Sequence, residues 1–423
     1  MPKLLLPNLL FEEELGGRDS LVSTAARRVV AELSPVMGLL STGSASEDIV
    51  VIPHNCVPDE LPPVLEHVRF VSEQTARGQS LAYTEFCPWG WSHAAIEFGR
   101  RSGLDFDFPD SKVVQHINRR EFLAPFDDSV DGTSHPEPFG ALCRSVDDVN
   151  AALLRFEHNG HAGWVIKSSL SQAARSRLNG RSLPHSTAEL GWLKTRFDAG
   201  QSVYAEPWVE RLAECGLQFT VPPLSSDDAS VQFEGATELL TDEAGRYLGS
   251  VLPMTTAASE TEWWHPAIER CTNIADQARQ RGYFGAIGFD CMAFLNPVDQ
   301  RVCLRRCHDI NGRITMGRIA LSLRHYLRND EIGIWCHCTL KPPQTFENLL
   351  SGSAHSNIRI LPTSPGRVGG LSVKHQTALL IANDRTRLIS AFRLLFGQQT
   401  RTPLIQYTGK RTTAATRGRS PGR

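Results

Sequence analysis

The chain has 423 residues, 41% of them hydrophobic and 21% charged, and a net charge of −2. This composition fits a soluble globular protein of one large or two to three ordinary domains. It supplies no global field for nucleic acid or an anionic membrane, and no apolar run is long enough to span a bilayer, so neither partner is expected.

The opening MPKLLLPNLLF is short, broken by Pro7 and followed by Glu12, Glu13 and Glu14, which argues against a signal peptide. Ten scattered cysteines do not form a disulfide framework and point to a reducing cytoplasm. Residues 1–110 read as an N-terminal α/β domain. A strand is predicted at Asp48–Pro53. A helix is predicted at Ser92–Arg101, with Gly103 as its C-cap. The run PWGWS at Pro88–Ser92 either packs this domain or lines a pocket. Val113–Ile117 reads as a short strand leading into Asn118, Arg119 and Arg120.

In the middle of the chain, Ser145 caps a helix that ends near Gly160. A strand at Ala162–Lys167 and a polar loop at Ser168–Gly180 follow. Ser186 and Glu189 form a capping box for a second helix, which stops near Gly200. Ser202–Trp208 is a strand. The sum is a small strand–helix–helix–strand unit suited to act as a lid. A helix then runs from about Pro266 to Arg281, with Ile268, Cys271, Ile274, Ala275 and Ala278 on one face and Gly282 as its stop. Two paired strands lead to another helix near Thr315. A last helix is expected at Arg385–Phe396. From Arg401 onward six Lys or Arg and no acid read as a disordered basic tail, 401–423.

The two paired strands carry the chemistry. Asp290 lies on the first. Asp309, Asn311 and Arg313 alternate at the end of the second, and residues two apart on a strand face the same way. Two carboxylates and an amide oxygen suit Mg²⁺, a hard cation often shared with substrate phosphates. An Arg on that face can grip a phosphate oxygen. Lys167 emerges from an apolar strand and can offer phosphate a point charge. The remaining cysteines and histidines, Cys303, Cys307, His308 and Cys336–Cys338, lack the C-x₂-C spacing of a zinc site.

The ending DINGRITMG resembles the E-x-N-x-R-x-T-M-G closure of one branch of the ATP-grasp superfamily of carboxylate–amine or carboxylate–thiol ligases, and the feature order from Pro109 to Leu327 is similar. Asp309 stands where that branch has Glu. The resemblance implies an ATP-grasp core at 111–400, with a lid at about 140–206 and a larger metal-bearing α+β part at about 207–400, behind an N-terminal pre-grasp domain. It implies ATP and Mg²⁺, or Mn²⁺, as cofactors. Asp290, Asp309 and Asn311 would be the metal ligands, and Arg313 and Lys167 the catalytic groups. Arg120, Lys167, Ser168, Ser169, Glu206, Trp208, Val209 and Glu210 would bind the nucleotide. Arg120 replaces the family's entrance lysine. The segment AEPWVER resembles the adenine hinge, where Glu206 would meet the exocyclic amine or order the hinge, and Glu210 would meet the ribose. The lid loop lacks the usual glycines, with Ala174 and Ser176 in their place, while Ser168, Ser169, Arg175 and Arg177 could compensate. The implied reaction passes through an acylphosphate and joins small-molecule carboxylate and amine substrates, and the resemblance is compatible with a homodimer. A kinase-like phosphotransferase and a non-catalytic nucleotide binder are the alternatives.

Overall fold

The structure, a computed structural model, describes residues 2–17, 22–41, 48–53, 56–77, 85–130, 138–170, 177–184, 186–226, 229–242, 245–254, 258–340, 344–350, 357–396 and 400–401. Three sheets of four or more strands organise them. Arg175, Ala174, Ser176 and the basic segment 402–423 lie outside the described residues. Arg401 does not belong to that segment, because Thr400–Arg401 forms a short strand on the large sheet.

The N-terminal sheet is parallel. Strands β1 (Lys3–Leu6), β2 (Ile49–Ile52), β3 (Arg69–Ser72) and β4 (Glu85–Pro88) lie in the order β3-β2-β1-β4. The Ile and Val run of β2 is buried throughout, as a strand covered on both faces requires. Helix α1 (Phe11–Leu15) follows β1, and α2 (His93–Arg101) follows β4 with Ser92 as its N-cap. Phe11 packs flat over Gly90: a Cβ there would come within 2.4 Å of the Phe11 ring. Trp89 and Trp91 both serve packing. Trp89 enters the main core, and Trp91 stacks with Phe106 and meets Phe86 edge-on.

The segment expected as a strand at Val113–Ile117 is a helix, α3 (Ser111–Ile117). Asp110 caps it by accepting from the Lys112 N–H at 2.7 Å. Val114 and Ile117 are buried three residues apart, a helical rather than a strand period. Adjacent β-branched residues suggested the strand, and the cap overrides them. A short helix α4 (Arg120–Leu123) comes next.

The small sheet holds four strands: β5 (Ala141–Cys143), β6 (Trp164–Ser168), β7 (Arg177–Gly180) and β8 (Val203–Pro207), in the order β5-β8-β6-β7. Helices α5 (Val146–His158) and α6 (Thr187–Asp198) each start in a full capping box, at Ser145 and Ser186. The expected unit therefore gains two strands. One of them, β7, occupies the end of what read as a loop, and it pairs antiparallel with β6.

The large sheet runs through β9 (Glu210–Val221), β10 (Gln232–Asp242), β11 (Tyr247–Leu252), β12 (Gly285–Leu295), β13 (Val302–Asn311), β14 (Ile332–Thr339), β15 (Arg359–Pro362) and β16 (His375–Ala382), in the order β15-β16-β14-β11-β10-β9-β12-β13. Ser129–Val130 pairs on the outer side of β13. Helix α7 (Ala258–Gln280) buries Ala267, Cys271, Ile274, Ala275 and Ala278 against it. This helix starts eight residues before Pro266, which lies inside it rather than at its first turn. Helix α8 (Met316–Ser322) starts at an N-cap on Thr315, and α9 (Arg385–Phe396) has the expected bounds. No helix among the described residues is long and apolar enough to cross a membrane.

The contact at Gly90 is what seats α1 beside the large sheet. Gly90→Ala is expected to lower stability by about 1–3 kcal/mol, the usual cost of overpacking. Chemical denaturation checks this. Combining it with Phe11→Leu should cost less than the two single changes added together.

Candidate functional site

β12 and β13 pair so that Asp290 stands directly opposite Asp309. The register then slips. Met292 pairs with Arg305, so Arg306, Cys307 and His308 lie opposite Cys291 alone. A bulge of this kind re-aims side chains. Strict alternation would put residues 305, 307 and 309 on one face. Instead Cys307 turns into the core beside Cys271 and Cys291, while Arg305, His308 and Asp309 all line one cleft. The cleft lies between the small and large sheets. Asn311, the last residue of β13, and Arg313 just beyond it continue its wall.

The turn after β13 is held by its neighbours. The Asn118 side chain accepts from the Gly312 N–H at 2.9 Å and donates to the Val114 carbonyl at 2.8 Å. A Cβ on residue 312 would meet that amide at 2.7 Å, so any side chain there would displace the Asn118 clamp. The Ile314 N–H donates to the Trp89 carbonyl at 2.8 Å. The Thr315 hydroxyl donates to Gln218 Oε1 at 2.7 Å and caps α8 by accepting from the Arg318 N–H.

Two carboxylates meet at the cleft floor. Burial, then the charges of Asp309 and Glu214, push Asp290 up to about 7, against the weaker pull of Arg313 and Arg120. Arg120 donates to Asp309 Oδ2 at 2.8 Å and to the His308 carbonyl at 3.1 Å. Burial opposes its charge, but Asp309 and Glu206 outweigh that and hold it ionised. Arg313 donates to Asn311 Oδ1 at 3.1 Å. The donor set for a cation is thus all oxygen, and it carries more negative charge than Asp290 can keep at neutrality. That chemistry suits Mg²⁺ or Mn²⁺. Among the described residues no group of three or more His, Cys, Asp or Glu is placed to hold a metal. A cation here would therefore need other oxygens besides these two carboxylates.

A second charged group lies at the hinge end. Glu206 on β8 takes Lys167 of β6 at 2.5 Å on one oxygen and Arg305 at 2.7 Å on the other. Burial works against its charge, yet Arg305 and Lys167 hold it well below the usual carboxylate range. Arg305 is buried and also forks onto Asp127, which in turn accepts from Tyr204. This network ties the small sheet to the large one. Both Glu206 oxygens are thus engaged by cations of the protein itself. Burial lowers the Lys167 pKa, only partly offset by Glu206.

The expected residues divide into two groups. Arg120, Lys167, Glu206, Trp208, Val209, Asp290, Asp309, Asn311 and Arg313 come together on the cleft. Ser168, Ser169 and Glu210 do not line it. The Ser168 hydroxyl donates to the Leu170 carbonyl at 3.0 Å, and that of Ser169 donates to Glu121, which also accepts from Ser202. Both hydroxyls serve the structure because a carboxylate and a carbonyl lie within reach on the protein side. Glu210 is exposed at the first position of β9. Glu214, four residues on, lines the cleft instead, held by Arg211 at 2.8 Å and by Thr241 at 2.7 Å. The Trp208 ring lies between Arg177 and Arg211, 6.0 and 5.1 Å from its centroid.

Arg305, Glu214 and Gln218 carried no sequence signal that was read as a site, and His308 was weighed only as a zinc ligand. A charge inside the apolar run VCLRRC was the signal for Arg305, since Arg is almost never fully buried without a partner. The His308 ring nitrogens are buried without a hydrogen-bond partner among the described residues, and burial, then Arg305 and Lys167, keep the ring neutral.

No family model and no curated protein matches the chain. Solved structures do. N5-carboxyaminoimidazole synthetase from Staphylococcus aureus superposes with a TM-score of 0.51 at 12% identity, covering 94% of this chain and 97% of that one. Biotin carboxylase from Campylobacter jejuni, solved as a βγ-ATP complex, gives 0.52 at 12% identity over 94% and 91%. Pyruvate carboxylase from Rhizobium etli gives 0.54 at 11% identity over 95% of this chain and 38% of that one. The chain has an ATP-grasp fold. At such identities the likeness is one of fold, and the ATP-grasp cleft of this chain must be read from its own residues.

Two outcomes follow from the charges. Asp290 has a folded pKa above its unfolded one, so folding takes up a proton between the two values. Its contribution is most favourable below the unfolded pKa and is lost as pH rises through about 7. In EDTA, the unfolding midpoint of the parent should fall more steeply from about pH 4 to about pH 7 than that of Asp290→Asn. Parallel profiles would count against the half-buried pair. Arg305→Ala leaves Asp127 and Glu206 buried without their shared cation. It should cost about 3–5 kcal/mol in a denaturation experiment.

Proposed function

We propose that the chain is an ATP- and Mg²⁺-dependent ligase that activates a carboxylate as an acylphosphate and joins it to an amine, or to a thiol. The observation that carries this reading is the half-buried Asp290–Asp309 pair in the cleft of an ATP-grasp fold, two opposed carboxylates with oxygen donors around them. The βγ-ATP complex of the biotin carboxylase that shares the fold supports the choice of nucleotide. When bound, ATP supplies the phosphoryl group, and Mg²⁺ supplies the charge that eases its transfer.

The chain's own residues would do the rest. Asp290, Asp309 and Asn311 would hold the ion with hard oxygens. Lys167 and Arg120 would neutralise the phosphates. Arg120 remains charged because Asp309 anchors it. Val165 and Met292, both on the cleft wall, offer apolar faces for a base. The backbone of 207–209 forms the hinge beside them. Glu214 takes the place expected for Glu210 and can accept from a ribose diol. Arg313, also on the cleft wall, would stabilise the oxygens of the transferred group. The small sheet would act as the lid, with closure excluding the water that hydrolyses an activated carboxylate. No covalent nucleophile on the protein is needed.

The test is Mg²⁺-dependent ATP turnover across amino acids, short peptides and simple carboxylates, each with and without an amine. The expected result is stimulated phosphate release with ADP and a new amide, reduced at least about 100-fold in Asp309→Ala and Asn311→Ala. Release that persists in both variants would remove the metal assignment. A phosphorylated acceptor in place of an amide would identify a phosphotransferase. Nucleotide binding with no turnover on any carboxylate would identify a non-catalytic binder.

A further inference from the structure

Arg313 is held from a part of the chain far from it in sequence. Glu12, on α1 of the N-terminal sheet, accepts from Arg313 Nε at 2.6 Å across a separation of 301 residues. Both side chains are nearly buried, 14% exposed for Arg313 and 10% for Glu12. A guanidinium has five N–H donors. Nε goes to Glu12, Nη1 donates to the Ile314 carbonyl at 3.0 Å, and Nη2 donates to Asn311 Oδ1 at 3.1 Å. The Trp89 ring lies against the guanidinium, 5.4 Å from its carbon to the ring centroid. One N–H on each Nη remains for a ligand, and the plane that carries both is fixed by Glu12 and Trp89.

The placement of Glu12 is itself built into the packing. Phe11 is fully buried over Gly90, which puts the next residue of α1 at the end of the cleft. Asn8 ties the same loop down. Its Nδ2 donates to Glu14 at 3.1 Å and to the Gly90 carbonyl at 2.9 Å, and its Oδ1 accepts from the Gly90 N–H at 3.2 Å. The Trp89 carbonyl then accepts from Ile314, the residue after Arg313. Three segments of chain thus converge on one side chain. Glu12 does not line the cleft, so it acts on Arg313 and not on a ligand.

We propose that Glu12 is a positioning residue for Arg313, so that the N-terminal sheet completes the end of the cleft where the transferred phosphoryl group is stabilised. This rests on the nucleotide reading above and adds a residue to it. An arginine free to rotate about its long stem would meet the same oxygens with only part of its donors. The orienting contact therefore matters most where geometry is most demanding, in the trigonal-bipyramidal arrangement of phosphoryl transfer.

The experiment compares MgADP affinity with and without fluoroaluminate, a mimic of the group in transfer, by calorimetry on the full chain. The variants are Glu12→Ala and Glu12→Gln. Affinity for MgADP alone should stay within about two-fold, because Arg313 is assigned to the transferred group and not to the two phosphates of ADP. The gain on adding fluoroaluminate should fall by about 10- to 100-fold in Glu12→Ala, the range for a group that orients a ligand-binding side chain. Glu12→Gln keeps an oxygen for Nε and should retain more of the gain. It also gives the answer if Glu12→Ala does not fold. An undiminished gain in both variants overturns the proposal. So does a larger gain, which would make Glu12 a gate that competes for Arg313. A parent that binds MgADP but gains nothing from fluoroaluminate also counts against it. A parent that binds no MgADP sinks the nucleotide reading itself.

Discussion

Carboxylates on directly opposed strand positions have Cβ atoms about 5 Å apart, and their repulsion grows as water is removed. Asp290 and Asp309 are in that position in the ATP-grasp cleft. A buried like-charge pair is tolerated only if it is protonated, flanked by cations or filled by one. Here the first two remedies are partly in place. Asp290 leans toward its protonated form, Arg120 lies on Asp309, and Arg313 reaches Asn311 on the same wall. The local structure follows from this need. The bulge in β13 aims Asp309 inward, Asn118 clamps the turn behind it, and glycine at 312 lets the clamp close.

The cations around that pair are not loose. Arg120 shares its fork between Asp309 and a backbone carbonyl, and Arg313 is fixed by Glu12 and Trp89. At the hinge, Lys167 and Arg305 divide the two oxygens of Glu206, and Arg305 carries the link on to Asp127. Buried ion pairs contribute little net stability, but removing one member is costly. Their value in this chain is geometric. They fix the small sheet against the large one and present charge along a groove with few side-chain degrees of freedom left, which is what electrostatic preorganisation requires.

Much of this was legible in the sequence, and the reasons differ by residue. The run DINGRITMG announced the floor of the cleft because three chemically apt residues alternate at a strand end. The N-cap at Ser145 and the capping box at Ser186 fixed two helices, since the signal is local. The reading of Val113–Ile117 failed because two valines outweighed the cap at Asp110. The ribose role of Glu210 rests on the resemblance of AEPWVER and on the acceptor chemistry of a carboxylate. The irregular pairing at the start of β9, where the register shifts between Arg211 and Ala213, accompanies the placement of Glu214 on the cleft instead. The partners of Arg305 and Arg313 were not legible, because Asp127 and Glu12 lie 178 and 301 residues away and no spacing rule spans such distances.

The central claim is that a divalent cation sits between the carboxylates of β12 and β13 when a nucleotide fills the cleft. Anomalous diffraction at the manganese edge, from crystals grown with Mn²⁺ and a non-hydrolysable ATP analogue, tests it most directly. The account predicts a peak coordinated by Asp309 and Asn311, within reach of Asp290, with analogue phosphate oxygens completing the shell. Nucleotide density in the cleft with manganese absent from that point, or manganese bound elsewhere on the chain, would contradict it.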